Sequence, residues 1–151
     1  MKQFELVTEW QIDAPIERVW AALRAVEEWP RWWPYVRSVR SVTEGDADGV
    51  GAVHVYHWGS RLPYSISLSV RVERCEKPFL LDGRASGDLQ GTGTWRLSSA
   101  GNGTRVRYEW NVDLNQAWMR WLAPVLAPAF RWNHHAVMAA GGAGLQRWLA
   151  R

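Results

Sequence analysis

Two segments of this chain alternate so cleanly that each reads as a half-covered β-strand, and whatever covers them decides the fold. In residues 64–74, Tyr64, Ile66, Leu68, Val70 and Val72 share one parity, while Ser65, Ser67, Ser69, Arg71 and Glu73 take the other. Residues 104–114 repeat the pattern, with Val106, Tyr108, Trp110, Val112 and Leu114 set against Arg105, Arg107, Glu109, Asn111 and Asp113. Successive side chains of a strand point to opposite faces, so each segment has one wet face and one face that needs a cover. That pairing is the habit of antiparallel sheets.

The cover has to be helical, and the sequence offers it at two places. Residues 4–12 read as a further strand, with Phe4, Leu6, Thr8 and Trp10 on one parity. Asp13-Ala14-Pro15 then reads as a helix start, with Asp13 as the cap and Pro15 in the first turn. Ile16, Val19, Trp20 and Leu23 follow at the spacing of a single apolar stripe. Residues 27–35 are interrupted by Pro30 and Pro34 and read as a short irregular helix carrying Trp29, Trp32 and Trp33. Polar turns at 43–51, 59–61 and 101–103 divide the middle of the chain into about six strands. The C-terminal third supplies the long helix. Residues 116–129 are expected to kink or break at Pro124 and Pro128. From 130 to 149, Phe130, His134, Val137, Gly141, Leu145 and Trp148 share one side. The expectation is one α+β domain over residues 1–151.

Composition narrows the function. Twelve Trp, 4 Tyr and 3 Phe in 151 residues give more ring surface than a small core needs to close, which points to an aromatic-lined cavity or interface. Lys+Arg 18 against Asp+Glu 15 gives a net charge of +3, nearly all of it arginine and spread along the chain, so no nucleic-acid partner is expected. No stretch approaches the ~20 apolar residues of a membrane span, and residues 1–13 lack an apolar signal core, so a cytoplasmic protein without stable membrane insertion is expected. Cys75 is the single cysteine, which excludes a disulfide within the chain. His54 and His57 fall on opposite faces of a strand, and adjacent His134 and His135 diverge around a helix, so neither a metal site nor a cofactor is expected. The glycine-rich residues 87–93 (GDLQGTG) lack the Gly-Lys-Ser/Thr ending of a phosphate loop and read instead as a bend or bulge.

In order and spacing, five segments resemble the START-like, or helix-grip, superfamily (SRPBCC), and within it the polyketide cyclase/dehydrase and lipid-transport type. They are IDAPIERVWAAL at 12–23, WPRWWPYV at 29–36, LPYSISLSVRVERCEKP at 62–78, DLQGTGTWRLSSAGNGTRVRYEWNV at 88–112 and WNHHAVMAAGGAGLQRWL at 132–149. The resemblance implies a curved seven-stranded antiparallel sheet wrapped around the long C-terminal helix, with one or two short helices after the first strand. It also implies an apolar cavity between sheet and helix. Members bind lipids, sterols, polyketides and other hydrophobic molecules, and some are cyclases, aromatases or hydrolases.

On that plan, His134 faces the cavity beside Phe130 and Met138, either as a polar anchor or acid/base group or as a core histidine satisfied by a neighbour. If Gly59-Ser60 makes a two-residue hairpin, Trp58 pairs with Arg61 and His57 turns inward. Tyr64, Trp95, Tyr108 and Trp110 fall on inward parities and are either cavity wall or plain core. Arg71, Arg96, Arg105 and Arg107 fall outward among Glu73, Glu109 and Asp113, as cross-strand ion pairs on a wet face. Trp20, Trp95, Trp110 and Trp148 are assigned to core or wall, and Trp29, Trp32, Trp33, Trp118 and Trp121 to two segments framing a cavity mouth. The segment 117–130 reads as a lid, a homodimer contact, a transient membrane contact or a helix start on the sheet rim. Three functions follow: a binder of a hydrophobic small molecule, a cyclase or dehydratase using His134, His57 or a tyrosine, and an interaction module docking through its Trp-rich segments.

Overall fold

The computed structural model describes residues 4–62, 65–114 and 117–151, with the side chains of all of these but Leu114, Trp118, Met119 and Ala123. Strand β1 (Phe4–Ile12) leads into helix α1 (Ile16–Arg24), a 3-10 turn (Val26–Glu28) and the one-turn helix α2 (Trp29–Trp32). A meander follows: β2 (Val36–Thr43), β3 (Val53–Trp58), β4 (Ile66–Glu76), β5 (Leu80–Gly87), β6 (Leu89–Ala100) and β7 (Gly103–Leu114). Helix α3 (Ala117–Leu149) closes the chain. The strands form one antiparallel sheet in the order β1-β7-β6-β5-β4-β3-β2, so β1 joins the far end of the meander by pairing with β7. This is the helix-grip architecture.

Two local expectations need correction. Asp13 does not cap α1. The Pro15 carbonyl receives the N–H groups of Arg18 and Val19, while the Asp13 backbone N–H donates to Gln146 Oε1 at 2.9 Å and ties the helix start to α3. Nor does α3 break at its prolines. Pro124 and Pro128 are four residues apart and both exposed, so the carbonyls deprived of a helical donor lie toward water, which can hydrate them. Gly87, with φ +117°, bends the chain between β5 and β6, as one of the two readings of the glycine-rich stretch has it.

The tryptophans at 29, 32 and 33 do not frame a cavity mouth; all three are buried, Trp33 to 1% exposure. They lock the short helices onto α3. Trp33 Nε1 donates to the Val137 carbonyl at 2.8 Å, and Trp10 Nε1 donates to the Met138 carbonyl at 3.1 Å. Those carbonyls belong to the middle of a helix, where the side chains one turn on normally shield them. Here the residues one turn on are Gly141 and Gly142. A Cβ at Gly141 would run into the Trp33 ring, and one at Gly142 would lie 2.8 Å from Trp10. Two missing side chains therefore open the helix backbone to two indoles, and the carbonyls' second lone pairs accept them.

The wet face is as the alternation implies. Arg96 and Arg107 both pair with Glu109, at 2.8 and 3.1 Å, Arg107 also reaches Glu9, and Arg84 pairs with Glu73. Such exposed pairs contribute little each, and their effect here is to neutralise a face that is otherwise rich in arginine.

Candidate functional site: an aromatic cavity

The inner face of the sheet does not close fully on α3. Between them lies a cavity in which the centres of water-sized molecules have about 160 Å³ to occupy, well above the ~10–15 Å³ that one water needs. Its walls are chiefly apolar and aromatic.

Each sequence candidate can now be placed. Trp95 on β6, Tyr108 and Trp110 on β7, and Phe130, His134 and Met138 on α3 all line the cavity. Trp95 and Tyr108, directly opposite across the β6–β7 ladder, stack with ring centres 4.1 Å apart at 27°. Their neighbours Gly93 and Trp110 are likewise paired, and the absence of a side chain at Gly93 makes room for the Tyr108 phenol, whose oxygen lies 2.5 Å from where a Cβ would sit. Tyr64 lies outside the described residues.

His57 is a correction. It points outward, is exposed, and shares a 2.8 Å hydrogen bond between its Nδ1 and Ser67 Oγ. A two-residue hairpin would have paired Trp58 with Arg61, but the connection spans residues 59–65 and Trp58 pairs with Ile66. Lengthening a hairpin loop by an odd number of residues reverses which face each residue of the first strand takes. The inward set on β3 is therefore His54, Tyr56 and Trp58, all three of which line the cavity. One signal for this was present: the strand's Tyr56 and Trp58 share that parity, matching the aromatic inner parities of β6 and β7. Trp29 and Trp33 also reach the cavity, from an irregular segment that has no parity to read.

The polar groups in this wall are few: Arg24 and Asp82 reach it, and the others stand among the rings. His134 stacks on Trp110 with ring centres 5.0 Å apart and planes 11° from parallel. Its Nε2 is buried and, among the described residues, has no hydrogen-bond partner. Burial lowers its pKa from 6.5 to about 4, with the charge of neighbouring His135 a smaller cause in the same direction. Burial likewise pushes the phenols of Tyr56 and Tyr108 above their ordinary value, and Tyr108 is raised further by the nearby Tyr56. His54 is lowered, chiefly by burial, with Glu27 opposing and Arg24 assisting. At neutral pH His134, Tyr56 and Tyr108 thus offer uncharged donors and acceptors set among rings. Asn133, buried at one end, accepts the Arg61 backbone N–H through Oδ1 at 2.9 Å and fastens the β3–β4 connection to α3.

Comparison with known proteins agrees with this geometry. The family model described as polyketide cyclase / dehydrase and lipid transport matches residues 3–145. No curated protein matches the chain by sequence. Among solved structures, TTHA0849 from Thermus thermophilus superposes with a TM-score of 0.76 at 19% identity, covering 93% of this chain and 96% of that one. A START superfamily protein from Mycobacterium smegmatis gives 0.76 at 13% identity, with 94% of each chain covered. The Zhui aromatase/cyclase from a Streptomyces species gives 0.71 at 15% identity, covering 98% of this chain and 96% of that one. Identities this low speak for a shared fold and leave the chemistry to each chain's own residues.

Proposed function

Because the chain belongs to the polyketide cyclase/dehydrase and lipid transport family, we propose that it binds a hydrophobic small molecule, a lipid or a polyketide-like aromatic, between the inner sheet face and α3. The observation that carries this reading is the unpartnered Nε2 of His134 in the cavity wall. A buried polar atom left without a partner is costly, by about 1–3 kcal/mol. A ligand that carries one hydrogen-bonding group on an otherwise apolar body removes that cost as it fills the space. The ring pairs Trp95–Tyr108 and Trp110–His134 suit a flat partner, since offset stacking adds to area burial.

The same groups weigh against proton transfer as the main task. An efficient general acid or base has a pKa near the working pH. His134 sits far below it and the two tyrosines far above. These three groups suit holding and orienting a ligand better than moving its protons.

Native mass spectrometry with fatty acids, sterols and flat polycyclic ketones tests the reading. One ligand bound per chain is expected, and Ile66→Trp, which places a large ring in the cavity, should abolish that binding while the protein stays folded. His134→Leu should weaken a ketone by roughly fivefold, about one hydrogen bond, and leave a pure hydrocarbon unaffected. Binding of every probe class undiminished in Ile66→Trp would place the ligand elsewhere and sink the proposal.

A further inference from the structure

The outward side of α3 carries a surface the cavity does not use. Trp121 is 82% exposed, Val125 77% and Trp132 52%. At about 100° per residue, positions 121, 125, 128 and 132 fall within roughly 60° of one another and make a single stripe about 16 Å long. Phe130, His134 and Val137, which line the cavity, lie on the other side of the same helix. Large rings this open are uncommon unless something covers them.

The charge beside the stripe indicates what that is. From Ala117 to Leu149 the helix holds Arg120, Arg131 and Arg147 and no Asp or Glu. Arg120 and Arg131 are exposed along one shoulder of the stripe. Arg61 reaches Trp132 from the β3–β4 connection, its Cζ 5.3 Å from the ring centre. Arg84, Arg96 and Arg107 on the sheet are instead each paired with a glutamate. Tryptophans flanked by guanidinium groups, with no carboxylate on the helix, complement a surface that is apolar beneath and anionic above. A second copy of the chain fits less well. A strip about 16 Å long and one helix wide, about 10 Å, falls far short of the ~800 Å² per partner of a stable protein interface. No described helix is long and apolar enough to cross a membrane, so the contact would be peripheral.

We propose that this stripe seats the protein reversibly on an anionic lipid bilayer, with Trp121, Val125 and Trp132 in the headgroup boundary and Arg61, Arg120 and Arg131 against lipid phosphates. The contact does not depend on what the cavity holds. It is tested with the full chain by co-sedimentation with mixed phosphatidylcholine–phosphatidylglycerol vesicles and with pure phosphatidylcholine vesicles, and by quenching of tryptophan fluorescence with brominated lipid. Preferential sedimentation with the anionic vesicles, weakened by salt, is expected. Arg120→Gln with Arg131→Gln should reduce that binding by roughly tenfold or more and remove the anionic preference. Trp121→Ser with Trp132→Ser should abolish both sedimentation and quenching at an unchanged melting temperature. If that pair fails to fold, the arginine pair and the quenching of the unsubstituted protein decide the matter. The proposal is overturned by sedimentation no greater than without vesicles, or by binding that survives both double substitutions. A dimer in gel filtration that Trp121→Ser dissociates would also overturn it, assigning the stripe to a second copy.

Discussion

His134 brings together what is unusual about this interior: a titratable ring, stacked on Trp110, with a buried nitrogen that no described residue satisfies. Its pKa makes a prediction about stability. The unfolded chain binds the proton near 6.5 and the folded chain near 4, so between these values the unfolded state holds more protons. The contribution is therefore complete above about pH 6.5 and is lost as the pH falls toward 4, amounting to at most about 3 kcal/mol. Urea midpoints measured across that window should fall with pH, and the fall should be visibly shallower in His134→Leu. An equally steep fall in the variant would assign the acid sensitivity to other groups. The inward position of His134 was legible in the sequence because helical spacing from Phe130 to Trp148 fixes the face. Its lack of a partner was not, since hydrogen-bond satisfaction depends on atoms from β7 and α3 meeting in space.

The face of a whole strand hangs on its neighbouring loop, as β3 demonstrates. The alternation in 53–58 is clear, but both parities carry plausible inward residues, and the decision rests on the parity of the loop at 59–65. The segments β4 and β7 were readable because their outward parities are polar throughout. The contribution of Gly141, Gly142 and Gly144 to α3 was hidden for another reason. A run of small residues in a helix looks like a weak point until the tryptophans that enter it are known. At Gly144 the fit is tightest: a Cβ there would overlap the backbone oxygen of Trp32. Ordinarily, replacing a helix-interior glycine by alanine gains up to about 1 kcal/mol. Here Gly144→Ala should lose stability by at least about 2 kcal/mol, because α2 has to be pushed away from α3. A thermal melt compared with Ala143→Gly, an exposed site on the same turn, separates the two effects.

Across the whole molecule, the composition pointed to aromatic excess and the structure shows how it is distributed. Trp10, Trp29, Trp33 and Trp95 form a buried continuum that runs into the cavity wall, while Trp121 and Trp132 stand in solvent on the far side of α3. Sequence spacing could not make that division for Trp29, Trp32 and Trp33, because a proline-interrupted segment has no period, and adjacency to proline reads as a surface signal. The ring centres in the buried set are close: Trp10 to Trp33 5.5 Å, Trp29 to Trp33 5.2 Å, Trp33 to Trp58 4.9 Å. Indoles at these separations and fixed angles do not absorb light independently; their transition dipoles mix. The protein should show a paired positive and negative band in its ultraviolet circular dichroism, distinct from the backbone signal. That couplet should weaken strongly in Trp33→Phe, whose ring lies at the centre of the set, while pairs such as Trp10–Trp95 at 5.5 Å keep a remnant, and it should be unchanged in Trp121→Ser. Because Trp29, Trp33, Trp58 and Trp95 also touch the cavity, a ligand that enters should change the couplet's amplitude, giving an unlabelled optical readout of occupancy.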